Sequence, residues 1–561
     1  MPKIGKKIIQ GRFVLPSGIV GTCLDTLAKI AKEIPEVGIL TTKSITLEKR
    51  EGNPEPILDQ VGPSSFINAV GLTNPGAKYF TQELKKIYPL PYKKFLLVSI
   101  AAATQEELSK IIKIISPSFD GIELNLSCPH GEKYGLIIGK SGDLSFAFTK
   151  TAREITKKPI FVKLPPRENV GEVAKAVIKA GADGISAINT VGPIENRTIS
   201  FGKGGMSGSK IKKRGIKCIE EISKAIQGKI PIIAMGGIRN ARDIKLYEKA
   251  GADFFGIGSA LTEMSFEKMK EYFKTLGKDL KNDTNLAENF PIERKIIDYK
   301  PFRIKKIQKL DKDLRIFSFN KSFKAQPGQF IFLNINGREK PFSLASVNPL
   351  ILAIRKVGNF TSQVFKLKEK DKVLIRGPYG KPFPVTAAKR GHKLLKREKS
   401  YLICGGTGTA PLYFLAQKLK EPTIFLASRT RRQLLFKKEF KKLGETILIT
   451  EDGSEGEKGR VTEILEKYLK KARPRRTIFY NCGPELMMEK AMEIERRYTT
   501  GDRIFASIER YAKCGIGLCG HCAINSYRSC VDGPVFDFNS LSQLSHFAKF
   551  KRDKTGRLVK I

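Results

Sequence analysis

Polar side chains lie at or just after the ends of most of the short apolar runs in the first half of the chain. Each has an ordinary explanation, because a terminal lysine is usually solvated and a terminal asparagine usually caps a helix or a turn. If the runs are parallel strands ending at one edge, these side chains together form a polar pocket with two cations. They are Lys43, Asn68, Ser99, Asn125, Cys128, Lys163, Asn189 and Thr190.

Four of the nine cysteines lie close together near the end of the chain. Their spacing is Cys514-x4-Cys519-x2-Cys522-x7-Cys530, and its first two intervals match the plant-type ferredoxin ligand set. Four thiolates can bind a [2Fe–2S] cluster, and the glycines between them would let the backbone wrap closely around it. A four-cysteine zinc site is the alternative, although such sites commonly use two Cys-x-x-Cys pairs.

Eight short apolar runs bounded by turn residues must position the polar pocket, and most of them precede a helix-like stretch. Strands that alternate with helices in this way predict an α/β fold, a TIM (β/α)8 barrel with its active site at the carboxyl ends of the strands. The runs are Gly38–Thr42, Phe66–Val70, Leu96–Ile100, Gly121–Leu126, Ile160–Leu164, Gly184–Ile188, Pro231–Met235 and Phe254–Ile257.

Glycine-containing turns follow three apolar runs and could hold phosphate. Gly236-Gly237 and Gly258-Ser259 follow the seventh and eighth runs, where TIM barrels commonly bind phosphate. The turn at 405–408 follows Tyr401–Cys404 and would let a helix N-terminus approach a pyrophosphate. Each turn alone is a weak signal, because glycine at a strand end often serves only the turn.

A second pattern follows the first 281 residues, after a polar stretch at 282–296 that we interpret as a linker. Short alternating runs over 297–395 predict a small antiparallel β-barrel. A βαβ pattern over 396–503 predicts an α/β nucleotide-binding domain, and we expect residues 504–561 to form a domain around the four cysteines.

Composition narrows the class of protein. A chain of 561 residues is too long for one hydrophobic core, and 41% hydrophobic with 28% charged residues indicates a globular enzyme. Without an apolar span or a signal peptide, we expect a cytoplasmic protein with no membrane partner. The net charge of +45 could attract nucleic acid, but the basic residues are spread along the chain and no nucleic-acid-binding motif accompanies them. We therefore favour a solvated surface that attracts anionic substrates and cofactors.

The stretches Thr41–Ser44, Asn68–Leu72 and Asn125–Pro129 closely resemble the class 1 dihydroorotate dehydrogenases, over essentially all of residues 1–281. The resemblance implies an FMN enzyme that oxidises dihydroorotate to orotate in pyrimidine (UMP) biosynthesis. It also implies that Cys128 is the catalytic base. Nearby lysines could lower the pKa of this thiol from its ordinary value near 8.5. A serine here would have indicated the quinone-linked, membrane-associated class 2 enzymes.

The same resemblance, together with the glycine turns after the seventh and eighth runs, assigns further residues to substrate and flavin. Substrate contacts are expected at Lys43, Asn68, Ala69, Val70, Gly71, Leu72, Asn125, Asn189 and Thr190. FMN contacts are expected at Ser17, Lys43, Ser44, Ser99, Asn125, Lys163, Ile188, Gly208, Gly236, Gly237, Gly258 and Ser259.

Residues from about 297 to 545 resemble the electron-transfer subunit of NAD-linked dihydroorotate dehydrogenase. The resemblance implies [2Fe–2S] ligation by the four clustered cysteines. It implies FAD contacts at Lys340, Pro341, Phe342, Ser343, Ile354, Arg355 and Thr361, and nicotinamide-nucleotide contacts at Gly405, Gly406, Thr407, Gly408 and Cys482-Gly483-Pro484. The family usually has arginine at position 340 and glycine at position 360. Lys340 keeps the charge but loses the two-pronged hydrogen bonding of arginine.

Two such halves on one chain predict an electron route from dihydroorotate through FMN, the cluster and FAD to NAD. Because the halves of the family are separate polypeptides that assemble as a two-fold heterotetramer, we expect a homodimer through the barrel. The choice between NAD and NADP is open, since Ser428, Arg429, Arg431 and Arg432 follow a strand where a 2′-phosphate could bind.

Two alternatives remain at this stage. An NAD(P)-dependent dihydropyrimidine dehydrogenase, which reduces uracil or thymine, has a barrel that resembles this chain around Asn125–Gly131. The two lysines favour a carboxylate-bearing substrate instead, and the chain has no pair of [4Fe–4S] cysteine motifs. The more distant alternative is a nucleic-acid-binding flavoprotein without catalytic turnover. The presence of Cys128, of both lysines and of all four clustered cysteines argues against it.

Overall fold

The computed structural model describes residues 3–127, 134, 136–291, 294–385, 398–474 and 476–561. The chain divides into two compact units. The first unit comprises Met1–Ile296, Ile516–Arg528 and Arg552–Val559. The second comprises Ile297–Gly515, Ser529–Lys551 and Lys560–Ile561.

Eight parallel strands close into a barrel in the first unit, so the predicted (β/α)8 architecture is confirmed. Each strand is hydrogen-bonded to the next in chain order, and the eighth is bonded to the first. In chain order the barrel strands are Phe13–Leu15, Val37–Thr41, Phe95–Ile100, Gly121–Asn125, Ile160–Leu164, Gly184–Ala187, Ile232–Met235 and Phe254–Gly256.

One of the eight predicted barrel strands is wrong. The apolar run Phe66–Val70 corresponds to the strand Ser65–Asn68, which belongs to a separate antiparallel sheet. Its apolar residues serve a small core of their own, where Ile67 packs with Ile199. The barrel begins instead with Phe13–Leu15, whose three residues are too few for a periodic pattern. The other seven predicted strands agree with the structure to within one residue at each end.

Helices follow each barrel strand and cover the outside of the barrel. Several begin with a side-chain cap: Thr104, Ser141, Asn240 and Ser265 each accept a hydrogen bond from the backbone N–H three residues later. The helices are Leu24–Glu33, Ala77–Ile87, Gln105–Ile115, Leu136–Lys140, Gly142–Ile155, Val170–Lys179, Lys212–Ile226, Ala241–Lys249 and Phe266–Asn282.

Insertions after the second and sixth barrel strands form a four-stranded antiparallel sheet. Its strands are Leu58–Gly62, Ser65–Asn68, Val191–Glu195 and Lys203–Gly208. Separately, the segment 516–528 is bonded to loops that follow the first and eighth barrel strands, through Val20 N to Leu518 O at 2.8 Å and Glu263 N to Ile516 O at 2.9 Å. A piece of the cysteine-rich region is therefore built into the barrel unit.

The second unit begins with a seven-stranded antiparallel sheet, which confirms the predicted antiparallel character. In order of hydrogen bonding the strands are Arg338–Ser343, Phe330–Ile335, Lys372–Tyr379, Lys300–Asp311, Leu314–Phe319, Leu350–Arg355 and Ser346–Val347. Buried and partly exposed residues alternate along Leu350–Arg355, as expected for a strand with one face in the core. The helix Asn359–Val364 follows that strand.

A second seven-stranded sheet forms the nucleotide-binding part, and all of its strands are parallel except the last. They are Lys399–Gly405, Thr423–Ser428, Thr446–Thr450, Glu457–Lys458, Thr477–Cys482, Ile504–Ser507 and Val535–Asp537. The helices are Thr409–Ala416, Lys437–Leu443, Val461–Ala472, Glu485–Glu495 and Phe538–Leu541. Strand order reverses at Lys399–Gly405, which lies between Thr423–Ser428 and Thr477–Cys482. Ligands of open α/β sheets bind at such a switch point.

The stretch 282–296, expected to be a linker, is held to the barrel unit: Gln60 Nε2 donates to Arg294 O at 3.0 Å and Ile296 N donates to Gln60 Oε1 at 2.6 Å. The division between the units follows Ile296. The region 504–561, expected to be one domain, is shared between the units. In the ranges described above, no helix has the length and apolarity needed to cross a membrane.

Candidate active site and cofactor sites

A connected set of buried and partly buried polar side chains lies at the carboxyl ends of the barrel strands. Ser44 is central: its Oγ lies 3.1 Å from Ser17 Oγ and 2.9 Å from Ser99 Oγ, and it accepts a hydrogen bond from Asn125 Nδ2 at 2.9 Å. These residues lie on or just after the first four barrel strands. The barrel thus brings four predicted site residues into one hydrogen-bonded group, which we name the Ser44 network.

Asn189 extends the Ser44 network from the sixth barrel strand. Its Nδ2 donates to Ser127 Oγ at 2.8 Å and lies 3.3 Å from Asn125 Oδ1, while its Oδ1 accepts from Thr190 N at 2.8 Å. Ser127 in turn donates to Asn125 Oδ1 at 3.2 Å. Because both polar atoms of each amide are engaged, the orientations of the two asparagine side chains are fixed. Ser127 was not among the predicted site residues.

A buried ion pair holds one of the two predicted lysines. Lys163 Nζ lies 3.7 Å from Glu123 Oε1, and the two side chains are 5% and 1% exposed. The same Glu123 oxygen accepts from Ser99 Oγ at 3.1 Å, which joins the pair to the Ser44 network. Lys43, the other predicted lysine, is also buried. Sequence reasoning missed Glu123, although an acidic residue within an otherwise apolar strand was a usable signal.

Tightly packed glycines form the turns where phosphate binding is expected. Gly237 has φ +79°, and a Cβ there would lie 2.6 Å from Gly208 O. Gly208 has φ +95°, and a Cβ there would lie 1.9 Å from Ser64 O. Tyr247 donates to Gly236 O at 2.7 Å, and burial raises the pKa of its phenol, so that it stays a donor. Side chains have no room in this cradle, as a backbone phosphate site requires.

The remaining predicted FMN residues differ in how closely neighbouring atoms constrain them. Ile188 is buried and its N–H donates to Met235 O at 3.0 Å, which places it beside the seventh-strand turn. Gly258 is less constrained, because a Cβ there would meet neighbouring atoms only at 3.5 Å or more. Ser259 begins a single helical turn, and its carbonyl accepts from Thr262 Oγ1 at 2.7 Å.

The predicted substrate loop, residues 68–72, is held by other partners. Asn68 Nδ2 donates to Gly205 O at 3.1 Å in the antiparallel sheet; among the described residues its hydrogen bonds do not reach the Ser44 network. Asn53 N donates to Val70 O at 3.1 Å, and Asn53 Nδ2 donates to Ala69 O at 3.0 Å. Gly71 has φ +76° and Leu72 has φ +54°, so the loop has a defined, strained turn.

Cys128, the predicted base, lies outside the described residues, as do Pro129 to Gly131. The strand end that precedes it is described as far as Ser127, which is buried and bonded to both asparagines of the network.

The four cysteines of the predicted cluster motif are all buried: Cys514, Cys519, Cys522 and Cys530. Gly515, Gly517 and Gly520 between them have φ near +80°, so the loop requires glycine at these three points. In the part of the chain with described coordinates, no three His, Cys, Asp or Glu side chains are grouped as ligands of a single metal ion. The fit to a [2Fe–2S] cluster rests on the four-thiol donor set and the glycine turns.

The predicted FAD residues lie on two strands of the antiparallel sheet and on the helix Asn359–Val364. Lys340 Nζ donates to Tyr511 OH at 3.1 Å and lies 4.7 Å from the centre of its ring. On the same strand, 338–343, are Pro341, Phe342 and Ser343. Arg355 Nη1 is bonded to Asp313 at 3.0 Å, and Ile354 is buried.

Thr361 uses its hydroxyl to cap the start of its own helix, accepting from Val357 N at 2.9 Å and Gly358 N at 3.1 Å, both just before the helix. Phe360 lies 6.2 Å from Phe342 between ring centres. An aromatic side chain at position 360, where the resemblance led us to expect glycine, therefore packs against the predicted FAD strand.

The two predicted nicotinamide-nucleotide loops touch each other at the switch point of the parallel sheet. A Cβ on Gly408 would lie 2.5 Å from the Cys482 carbonyl, and a Cβ on Gly483 would lie 3.0 Å from Gly405 Cα. The helix Thr409–Ala416 begins directly after this turn. Gly405, Gly406, Thr407 and Gly408 thus lie where a nucleotide would meet a helix N-terminus.

A buried ion pair lies next to the second of these loops. Glu485 begins the helix 485–495 and forms a buried ion pair with Arg510, whose Nη2 lies 3.0 Å from Glu485 Oε2. Farther along the nucleotide-binding sheet, Ser428 donates to Thr430 O at 2.7 Å, and the three arginines 429, 431 and 432 are exposed.

Family profiles match most of the chain. The profile for dihydroorotate dehydrogenase matches residues 3–280 and the profile for an oxidoreductase NAD-binding domain matches 402–493. The iron-sulfur cluster binding domain of dihydroorotate dehydrogenase B matches residues 509–542, which include all four clustered cysteines.

Curated relatives fall into two groups. The probable dihydroorotate dehydrogenase B (NAD(+)) electron transfer subunit of Methanocaldococcus jannaschii is 38% identical over 265 residues, which are 46% of this chain and 96% of the relative. The catalytic subunit from the same organism is 36% identical over 266 residues, covering 46% and 85%. The catalytic subunit of Caldicellulosiruptor saccharolyticus is 39% identical over 238 residues, covering 40% and 77%.

Proposed function

The chain belongs to the dihydroorotate dehydrogenase B (NAD(+)) family, and from this we propose that it joins the catalytic and electron-transfer parts of that enzyme in one polypeptide. It oxidises dihydroorotate to orotate and transfers the electrons to NAD. The observation that carries the proposal is the Ser44 network, which gathers predicted FMN and substrate residues at one end of the barrel in a chain that also matches the electron-transfer subunit.

The cofactors are FMN, FAD and a [2Fe–2S] cluster, with NAD as acceptor: FMN supplies a hydride acceptor, the cluster a one-electron carrier and FAD a hydride donor. The glycine cradle at 208, 236 and 237 would hold the FMN phosphate. Lys340 and its strand would hold FAD, and the Gly405–Gly408 turn would hold the nicotinamide nucleotide.

The barrel residues bind and orient the substrate. Fixed amide orientations at Asn125 and Asn189 present defined donors and acceptors to a planar dihydropyrimidine ring. Lys43 and Lys163 attract the substrate carboxylate. Glu123 holds the ammonium group of Lys163 in place, at 3.7 Å from Oε1 to Nζ.

Cys128 takes the C5 proton of dihydroorotate as the hydride leaves C6. This role rests on the position of Cys128 in the sequence, three residues after Asn125, and on the chemistry of the thiolate.

The test is anaerobic and uses the purified full chain with its flavin and iron-sulfur absorbance. We expect dihydroorotate to bleach both chromophores, and NAD to restore them with one NADH formed per dihydroorotate. Cys128→Ala should lose the bleaching by dihydroorotate and keep the bleaching by NADH.

Cys218→Ala is the matched control, because Cys218 is a buried cysteine of the same barrel whose thiol pKa is raised by burial. It should behave as the wild type. Bleaching by NADH but not by dihydroorotate in the wild type would contradict the assignment of the barrel, and dihydrouracil would then be the next substrate to test.

A further inference from the structure

A buried arginine in the second unit contacts the first cysteine of the cluster motif. Arg376 lies on the strand 372–379 and its side chain is 1% exposed. Its Nε and Nη2 donate to the two oxygens of Glu339 at 2.9 and 2.7 Å. Its Nη1 donates to Tyr379 OH at 2.9 Å and to the main-chain oxygen of Cys514 at 3.0 Å. The guanidinium therefore bridges a carboxylate and the backbone of a cluster ligand.

The pair remains charged although it is buried. An arginine guanidinium stays protonated in proteins, and its two bonds to the Glu339 carboxylate pair the buried charges. Tyr299 donates to Glu339 Oε2 at 2.7 Å, and burial, together with Glu339, raises the pKa of that phenol, so it stays protonated. The contacts give the pair a direction: its positive end faces Cys514 and its negative end lies on the opposite side of the guanidinium.

The surroundings hold this geometry. The guanidinium lies 3.8 Å from the centre of the Phe332 ring. Gly515 has φ +80°, and a Cβ there would lie 2.8 Å from Phe332 and 3.3 Å from Arg376 Nη1. The turn after Cys514 is thus fitted against the arginine, with room only for glycine.

Glu339 also joins this contact to the predicted FAD strand. It is buried on the strand 338–343, where Lys340 is the next residue and bonds to Tyr511 instead. Successive residues of a strand point to opposite faces. One strand therefore presents Lys340 on one face and the partner of Arg376 on the other.

Packing alone would not call for an ion pair at this place. A buried pair is weak evidence for stability, because apolar residues of similar volume often serve as well or better. Arg376 uses one of its N–H donors to bond the main-chain carbonyl of Cys514. Hydrogen bonds and charges near the ligands are among the factors that set the reduction potential of an iron-sulfur cluster.

We propose that Arg376, oriented by Glu339, is a positioning residue that holds Cys514 and raises the reduction potential of the [2Fe–2S] cluster. The inference rests on the proposed function, since it requires Cys514 to ligate that cluster. Reduction adds one negative charge to the cluster, and the nearby positive end of the pair stabilises the reduced form.

The test is a redox titration of the full chain, followed by the EPR signal of the reduced cluster. Arg376→Gln should lower the potential and Glu339→Gln should raise it, because they remove opposite ends of the pair. We expect each to change the equilibrium constant for reduction about tenfold, a shift of about 59 mV for one electron. Arg376→Lys should lie between Arg376→Gln and the wild type, since it keeps the charge and loses the fork.

Arg503→Gln is the matched control, because Arg503 in the same unit also bonds a carboxylate, Glu398 at 2.8 Å, and a main-chain oxygen, that of Thr477 at 3.0 Å. Its cluster potential should equal that of the wild type. If Arg376→Gln does not fold, the double variant Glu339→Gln with Arg376→Gln leaves no unpaired charge, and its potential should still fall below that of the wild type.

Shifts of opposite sign support the inference, and a purely structural pair would not produce them. A normal cluster whose potential is unchanged in both variants, or moves in the same direction in both, overturns the inference and leaves the proposed function standing. A wild-type chain without a reducible cluster would overturn both.

Discussion

At the scale of single residues, the site depends on contacts between side chains that lie far apart in the sequence. Ser44 contacts Ser17, Ser99 and Asn125, and each of these comes from a different part of the sequence. Glu123 also joins distant residues: its carboxylate pairs with the Lys163 ammonium and accepts a hydrogen bond from Ser99 Oγ. A buried lysine needs such a partner to remain charged.

We predict that Glu123→Gln slows the bleaching of the flavin by dihydroorotate about tenfold, which corresponds to about 1.4 kcal/mol in the barrier. The substitution keeps the shape but removes the charge that fixes the Lys163 ammonium. Stopped-flow absorbance under anaerobic conditions measures the rate. Glu248→Gln is the control, because Glu248 pairs with Arg12 on the exposed outside of the barrel. A rate equal to the wild type would show that Glu123 has no part in placing Lys163.

At the scale of elements, buried polar contacts also fix how helices meet strands. The helix 485–495 ends at Glu495, whose Oε2 accepts from Asn481 Nδ2 at 2.9 Å on the strand 477–482. Burial raises the pKa of Glu495 to about 8, while the bond to Asn481 acts in the opposite direction. The folded chain therefore binds a proton here that the unfolded chain releases near pH 4.5.

We predict that this carboxyl makes the second unit less stable as pH rises from about 4.5 to about 8. The contribution is complete below the unfolded pKa and is lost as pH approaches the folded pKa, with a limiting slope of about 1.4 kcal/mol per pH unit. Unfolding midpoints between these limits measure it. Glu495→Gln should flatten the dependence, and Glu493→Gln, at an exposed position on the same helix, should keep it. Equal slopes in all three proteins would contradict the prediction.

At the scale of the whole molecule, the chain is not a simple string of domains. Segment 516–528 belongs to the barrel unit, where Thr22 Oγ1 donates to the main-chain oxygen of Cys519 at 2.7 Å. Residues 529–551 return to the second unit. The cysteine-rich region is therefore divided between the two units, and we do not expect it to fold as a separate domain.

Assembly as a homodimer through the barrel stays a prediction. In the family that the sequence resembles, two catalytic and two electron-transfer polypeptides assemble with two-fold symmetry, so the fused chain needs only two copies. Light scattering should give twice the mass of one chain. Because each chain carries a net charge of +45, added salt should screen the repulsion and strengthen the dimer. A single-chain mass at low and at high salt would contradict the prediction.

Long-range contacts explain what sequence reasoning missed. Apolar runs predicted seven of the barrel strands. The strand Phe13–Leu15 is too short to give a recognisable pattern. The run Phe66–Val70 has the composition of a barrel strand but lies in the separate antiparallel sheet. Glu123 and Ser127 lay within or beside recognised motifs, yet their roles became visible only through partners about 40 to 60 residues away.

The sequence by itself determined the types of the reactive groups and their order along the chain. The cysteine spacing, the glycine turns and the polar strand ends are local properties, and local properties can be read from a string of residues. Only the tertiary structure decided which of these groups meet. Closing the barrel brings Ser17 to Ser44 and Asn125 to Asn189, and folding of the antiparallel sheet brings Arg376 to Cys514. The physical reason is that hydrogen bonds and charges act over a few ångströms in space, whatever the number of residues between the partners.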